Sequence, residues 1–203
     1  MKISVIGAGS IGGTLGKAWA EAGHAVRFGV RDANAPKVQR LLDGISGDVT
    51  AASVESALAY GDVIQIAIPG PAVAEFARTA GAALDGKIVI DASNRMGQAE
   101  MNSIGALRAA APNARFFRAF NNLGWENFAQ PQIGSERIDL FYCGDAGDAQ
   151  RAVHGLIDDV GLNPVYVGGL DKLPLIDMLT LLWASLAHGQ GYGRRIGFKL
   201  LAP

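Results

Sequence analysis

The chain has 203 residues, 49% hydrophobic and 18% charged, with 27 glycines; this is the composition of a folded globular protein with many tight turns, and it excludes a disulfide-stapled miniprotein and a mainly disordered chain. Eighteen basic against 19 acidic side chains leave a formal charge of -1, so there is no large basic field to hold a nucleic acid and no nucleic-acid partner is expected. The single cysteine, Cys143, can form no internal disulfide, and no Cys or His cluster has metal-ligand spacing, so a reducing cytoplasmic setting and no metal site are expected.

Residues 2–6 read as the first strand, with none of the longer apolar stretch of a secretory signal, so export is not expected. Gly7-Ala8-Gly9-Ser10-Ile11-Gly12 follows at once and opens a helix over 11–22. In that place Gly7 permits the tight turn, Gly9 lets backbone approach a pyrophosphate, and Gly12 lets helix and strand pack closely, while the helix N-terminus offers N–H groups to phosphate. A second strand over 25–28 ends in Gly29-Val30-Arg31-Asp32. An NAD site normally has an acidic residue about 20 positions after the glycines. Here Arg31 stands 19 after Gly12, and a guanidinium holds the 2′-phosphate of NADP where a carboxylate would repel it. NADP is therefore the expected cofactor, with NAD as the alternative if a shift of one residue brings Asp32 to the ribose. Lys37 is either a second positive charge there or a solvated lysine at a helix start.

Helices over 36–42, 54–59, 71–83 and 104–110 alternate with strands over 63–68, 87–90 and 115–119. This alternation implies crossovers onto one parallel sheet, a doubly wound α/β Rossmann fold. Such sheets bind ligands beyond the carboxyl ends of their strands, which singles out Ala67-Ile68-Pro69-Gly70, Asp91-Ala92-Ser93-Asn94 and Ala119-Phe120-Asn121-Asn122. Asn94 and Asn121 are placed to orient the nicotinamide amide or its ribose, or else are turn-forming asparagines. A polar loop runs to about residue 136, after which a strand over 138–142, a helix over 146–160 and a strand over 164–167 extend the sheet.

A helical extension over 170–203 follows the dinucleotide-binding domain of residues 1–169. Leu175, Met178, Leu179, Leu182, Trp183 and Leu186 recur on it at helical spacing, a stripe that must pack on the domain or on a second copy. Asp177, Thr180 and Ser185 interrupt it, and no apolar run reaches the roughly 20 residues of a membrane span. Residues 189–195 read as a flexible basic stretch. Trp125 is a candidate stacking platform for a flat ring, or only a packing residue. His24 reads as a surface residue, His154 as a solvated or packed one, and His188 ends the last helix; Cys143 reads as a small buried hydrophobe. No catalytic residue is assigned.

The glycine motif, Gly29-Val30-Arg31, Asp91-Ala92-Ser93-Asn94, Arg118-Ala119-Phe120-Asn121, Cys143-Gly144-Asp145 and Gly161-Leu162 with Val167-Gly168-Gly169-Leu170 occur in this order. Over nearly the whole chain the order resembles the NADP-dependent oxidoreductases of the coenzyme F-420 type, and the fold also resembles the reductase domain of the STEAP metalloreductases. The resemblance implies that Ser10, Ile11, Arg31, Ile68, Pro69, Asn94 and Ala119 contact NADP, and that the terminal helix helps to build a deazaflavin pocket and a homodimer interface. The chain departs from the family pattern at Val30, Arg118 and Asn122, where Ser or Thr, Lys and Thr are common. The expected function is hydride exchange between NADP(H) and a deazaflavin or flavin acceptor. The alternatives are reduction of a small carbonyl or imine, and a non-catalytic NADP-binding sensor or scaffold.

Overall fold

Four of the five residues of the first strand, Lys2–Ile6 (β1), are buried, because a parallel neighbour lies on either side of it and helices cover both faces. The computed structural model describes residues 1–202. Helix Ser10–Glu21 (α1), strand Ala25–Gly29 (β2), helix Pro36–Asp43 (α2), strand Val49–Ala52 (β3), helix Val54–Tyr60 (α3) and strand Val63–Ile66 (β4) complete the first half. Helix Gly70–Ala80 (α4), strand Ile88–Asp91 (β5), helix Ile104–Ala110 (α5) and strand Arg115–Arg118 (β6) continue the alternation. A short helix Trp125–Ala129 (α6) and the strands Gln132–Ile133 (β7) and Glu136–Arg137 (β8) precede strand Asp139–Gly144 (β9), helix Asp148–Asp159 (α7), strand Asn163–Gly168 (β10) and helix Leu173–Ala184 (α8).

Eight strands form one sheet in the order β10-β9-β6-β5-β4-β1-β2-β3, while β7 and β8 form a separate hairpin. From β1 to β6 every pairing is parallel. One core layer gathers Ile3, Val5, Trp19 and Phe28 on one face of the sheet, and a second gathers Ile64, Ile66, Phe76 and Phe116 on the other. The doubly wound α/β fold is thus as expected, with three corrections in detail. An edge strand, β3, lies between α2 and α3, where its half-exposed Val-Thr-Ala-Ala sequence lacks the apolar run of a central strand. The helix over 71–83 ends at Ala80 and gives way to a 3-10 turn, Gly81–Leu84.

The third correction is that the sheet is not wholly parallel. β9 pairs antiparallel to β6 through Phe117↔Gly144 and Arg118↔Cys143, and β10 then follows β9 in parallel. The link between β6 and β9 holds only α6, five residues long, and the β7–β8 hairpin.

On α8 the apolar stripe divides. Leu175, Met178 and Leu182 are 57, 62 and 49% exposed, while Trp183 of the same stripe is buried and faces the domain together with Ile176, Asp177 and Thr180. The reason is polar: Asp177 and Thr180 find buried partners in Arg118 and Asn121, and either half of those pairs left buried alone would cost more than a leucine left in water. A π turn, Ser185–Gly189, ends the helix. The basic stretch after it is tied down: Arg194 pairs with Glu126 at 2.6 Å, and Arg195 donates to the carbonyls of Glu126, Gln130 and Gln132.

Candidate functional site

The chain leaves β1 through Gly7, whose φ of +104° and closeness to the Ala67 carbonyl leave no room for a side chain. Gly12 packs so tightly on the Gly7 carbonyl that a Cβ there would overlap it. Gly9 is different. It caps α1 with an ordinary φ of -81°, and a Cβ built on it meets nothing within 4 Å. The fold therefore requires glycine at Gly7 and Gly12 but not at Gly9, where only a ligand lying against the backbone would. No side chain caps α1 and no acidic residue occupies its first turn, so its N-terminus, starting at Ser10 and Ile11, presents N–H groups and positive potential to an anion. Ile11 itself packs partly against the core.

Beside this loop, the carboxyl ends of β1, β2 and β4 enclose a crevice of about 1070 Å³. Gly7, Gly9, Arg31, Ile68 and Pro69 all line it, and Arg31 and Lys37 bring two exposed cations to its β2 side. Asp32, the competing carboxylate, accepts the Asn34 backbone N–H at 2.9 Å in a local turn. A smaller groove of about 440 Å³ meets the crevice at Gly9; Ser10, Lys17 and the half-exposed Trp125 line it.

Asn94, Ala119 and Asn121 do not line the crevice; they sit at the adjoining ends of β5 and β6. Phe120 between the last two has φ +61°, the one non-glycine residue of the described chain in that region, a conformation that costs on the order of 1–3 kcal/mol and persists only when its surroundings enforce it. Here edge contacts to Trp19 and Phe128, at 5.7 and 5.6 Å, hold its ring. The Asn94 amide is spent internally, accepting from Arg118 at 2.6 Å and donating to the Asn121 carbonyl at 2.9 Å. Asn121 donates to Thr180 at 2.9 Å, and its Oδ1, buried, has no partner.

Arg118, Asp177 and Thr180 thus join a site to which the sequence analysis assigned none of them. The signal was a charge inside a buried strand and two polar residues interrupting an apolar helix. The histidines lie elsewhere: His24 bridges the Met1 amine and Asp159, His154 bonds the Tyr142 hydroxyl, and exposed His188 meets the Trp183 edge. Burial pushes the Cys143 thiol up to about 12, which keeps it protonated and inert. Among the described residues no group of three or more His, Cys, Asp or Glu is placed to hold a metal, and no helix is long and apolar enough to cross a membrane.

Residues 2–95, the segment that carries the glycine loop, Arg31 and Asn94, match the sequence model of the family described as NADP oxidoreductase, coenzyme F-420-dependent. The family resemblance is shown over that segment. No curated protein matches the chain. Among solved structures, a protein of Arthrobacter sp. FB24 described as a candidate F-420-dependent NADP reductase superposes with a TM-score of 0.86 at 23% identity, each chain covered in full. A hypothetical protein of Sinorhizobium meliloti gives a TM-score of 0.70 at 26% identity, over 100% of this chain and 96% of that one. A reductive aminase of Aspergillus terreus, solved with NADPH and ethyl levulinate, gives 0.69 at 21% identity, over 94% of this chain and 62% of its own. At such identities the first and third show a common fold. The descriptions of the matched family and of the Arthrobacter protein name NADP, and that of the reductive aminase names bound NADPH.

Proposed function

We propose that the protein is an NADP-dependent oxidoreductase that exchanges a hydride between NADP(H) and a deazaflavin such as coenzyme F-420, or a flavin-like acceptor, in the cytoplasm. The observation that carries the dinucleotide is the contrast among the three glycines: two are demanded by the fold, and Gly9 is left open at the N-terminus of α1. Gly9, Ser10, Ile11 and Gly12 would hold the pyrophosphate there, Arg31 the 2′-phosphate, and Ile68 and Pro69 would wall the adenosine half. At the far end the unpartnered Asn121 Oδ1 fits the amide N–H of a nicotinamide, beside Ala119 and Asn94.

When bound, NADPH supplies the hydride. The chain's own task is to hold the nicotinamide face against an acceptor and to keep water away. The strand-end sequences around Asn94 and Asn121 bring no lysine or histidine to protonate an alkoxide, and Asp177 and Thr180 are committed to Arg118 and Asn121. This supports an acceptor with its own conjugated electron sink over a simple carbonyl.

The test is NADPH oxidation followed at 340 nm with the deazaflavin, flavin mononucleotide or a cyclic imine as acceptor. Turnover with the deazaflavin or the flavin supports the proposal; turnover of the imine alone replaces the acceptor; binding without turnover makes the protein a sensor or scaffold. Arg31→Ala is expected to weaken NADPH binding by about 1.5–3 kcal/mol, the worth of hydrogen bonds to a charged group, and to leave NADH nearly unchanged; equal losses for both would count against NADP specificity.

A second copy of the chain is proposed to cover the outward face of α8, where Leu175, Met178, Leu181 and Leu182 stand exposed together. Sedimentation should then give a dimer for the wild type and a monomer for Leu182→Glu; a monomeric wild type would remove the dimer proposal.

A further inference from the structure

Arg118 is entirely buried, and each of its three nitrogens has a hydrogen-bond partner. Nε donates to Asp177 at 3.0 Å, Nη1 to the Ser93 carbonyl and to Asp91, and Nη2 to Asn94 at 2.6 Å, while Nη2 also lies 2.9 Å from the Asp177 carboxylate as an ion pair. From Asn94 the bonds pass to the Asn121 carbonyl, and from the Asn121 amide to the Thr180 hydroxyl, which donates in turn to the Ile176 carbonyl. Asp177 and Thr180 are three residues apart on α8 and share its inner face. The bonds therefore close a ring that starts and ends on one helix: Asp177, Arg118, Asn94, Asn121, Thr180.

Within this ring the Asn121 Oδ1 alone among those side chains' polar atoms is buried without a partner. Its neighbour Phe120 holds a left-handed backbone conformation, which persists only where the surroundings enforce it. Asp91 does not depend on α8, since it is tied to Ser93 and Ser103 of its own strand-end loop. What α8 adds is the second carboxylate and the hydroxyl.

We propose that Asp177, acting through Arg118 and together with Thr180, is a positioning residue for the nicotinamide end of the site. The C-terminal helix sets where the strand-end asparagines stand, and with them the unpartnered Asn121 acceptor proposed to receive a nicotinamide amide. This rests on the dinucleotide reading given above.

The experiment compares two probes on the full chain. NADPH reports both halves of the site, and adenosine 2′,5′-bisphosphate reports the adenosine half alone. Asp177→Ala is expected to weaken NADPH about tenfold or more, the scale of a hydrogen bond involving charged groups, and to leave the bisphosphate within about twofold. Thr180→Val should act in the same direction, and Asp177→Asn, which keeps an acceptor oxygen, should recover part of the loss. Unchanged bisphosphate affinity also shows that the variant is folded; if Asp177→Ala does not fold, the other two variants carry the test. A parallel fall for both probes, or no change in either, overturns the positioning role. Failure of the wild type to prefer the bisphosphate over adenosine 5′-monophosphate would instead overturn the NADP reading, and the inference with it.

Discussion

Gly9→Val is expected to raise the dissociation constants of NADPH and NADH together by about 100-fold or more, near the upper end of the cost of overfilling a fitted space. The expectation follows from a difference between what the fold needs and what a ligand needs. A side chain at Gly9 meets nothing within 4 Å and the backbone there is one that valine adopts, so the protein should still fold. Valine is a poor helix cap, and that loss of about 1 kcal/mol should lower Tm by about 2–4 °C in a chain of this size. Gly12→Val is the contrasting variant: its side chain would overlap the Gly7 carbonyl, so soluble folded protein should be lost. Calorimetric titration and thermal melts of the two variants check both halves. Undisturbed dinucleotide binding in Gly9→Val would mean that the phosphate loop has been misplaced.

Arg118→Met is expected to destabilise the fold by about 3–5 kcal/mol, because it strands the carboxylates of Asp91 and Asp177 without their shared cation. In a chain of this length that corresponds to a fall in Tm of about 6–20 °C. Arg118→Lys keeps the charge but brings three donors in place of five, and should recover more than half of the loss. Thermal unfolding followed by circular dichroism measures both. A methionine variant as stable as the wild type would show that the ion cluster contributes specificity of placement rather than stability, as buried pairs in other folds do.

The crevice proposed to take the adenosine half of a dinucleotide was legible in the sequence because its signals are local. A buried parallel strand is a continuous apolar run, and β1 reads so; the glycines follow it directly, and Arg31 ends the next strand. Signals that depend on distant partners were not legible. Alternating apolar residues carry no arrow, so nothing in β9 announced that it would run against β6. The leucines of α8 formed the stronger stripe, yet which side turned inward was settled by Arg118 and Asn121, 59 residues earlier in both cases. Asn94 shows the same limit within the site. Its type and position suited a cofactor contact, and nothing in the sequence announced that its amide also bonds Arg118 and the Asn121 carbonyl.

The span of those contacts also bears on how the protein is made. Arg118 leaves the ribosome with Asp91 already behind it, while Asp177 is still to be added and Asn102 waits for the same residue across 75 positions. Until that last helix emerges, the nascent chain carries a cation meant for the interior that is one carboxylate short of its final surroundings. Products of premature termination before Asp177 would keep that mismatch permanently, and would offer the cell's chaperones and proteases a clear mark of an unfinished chain.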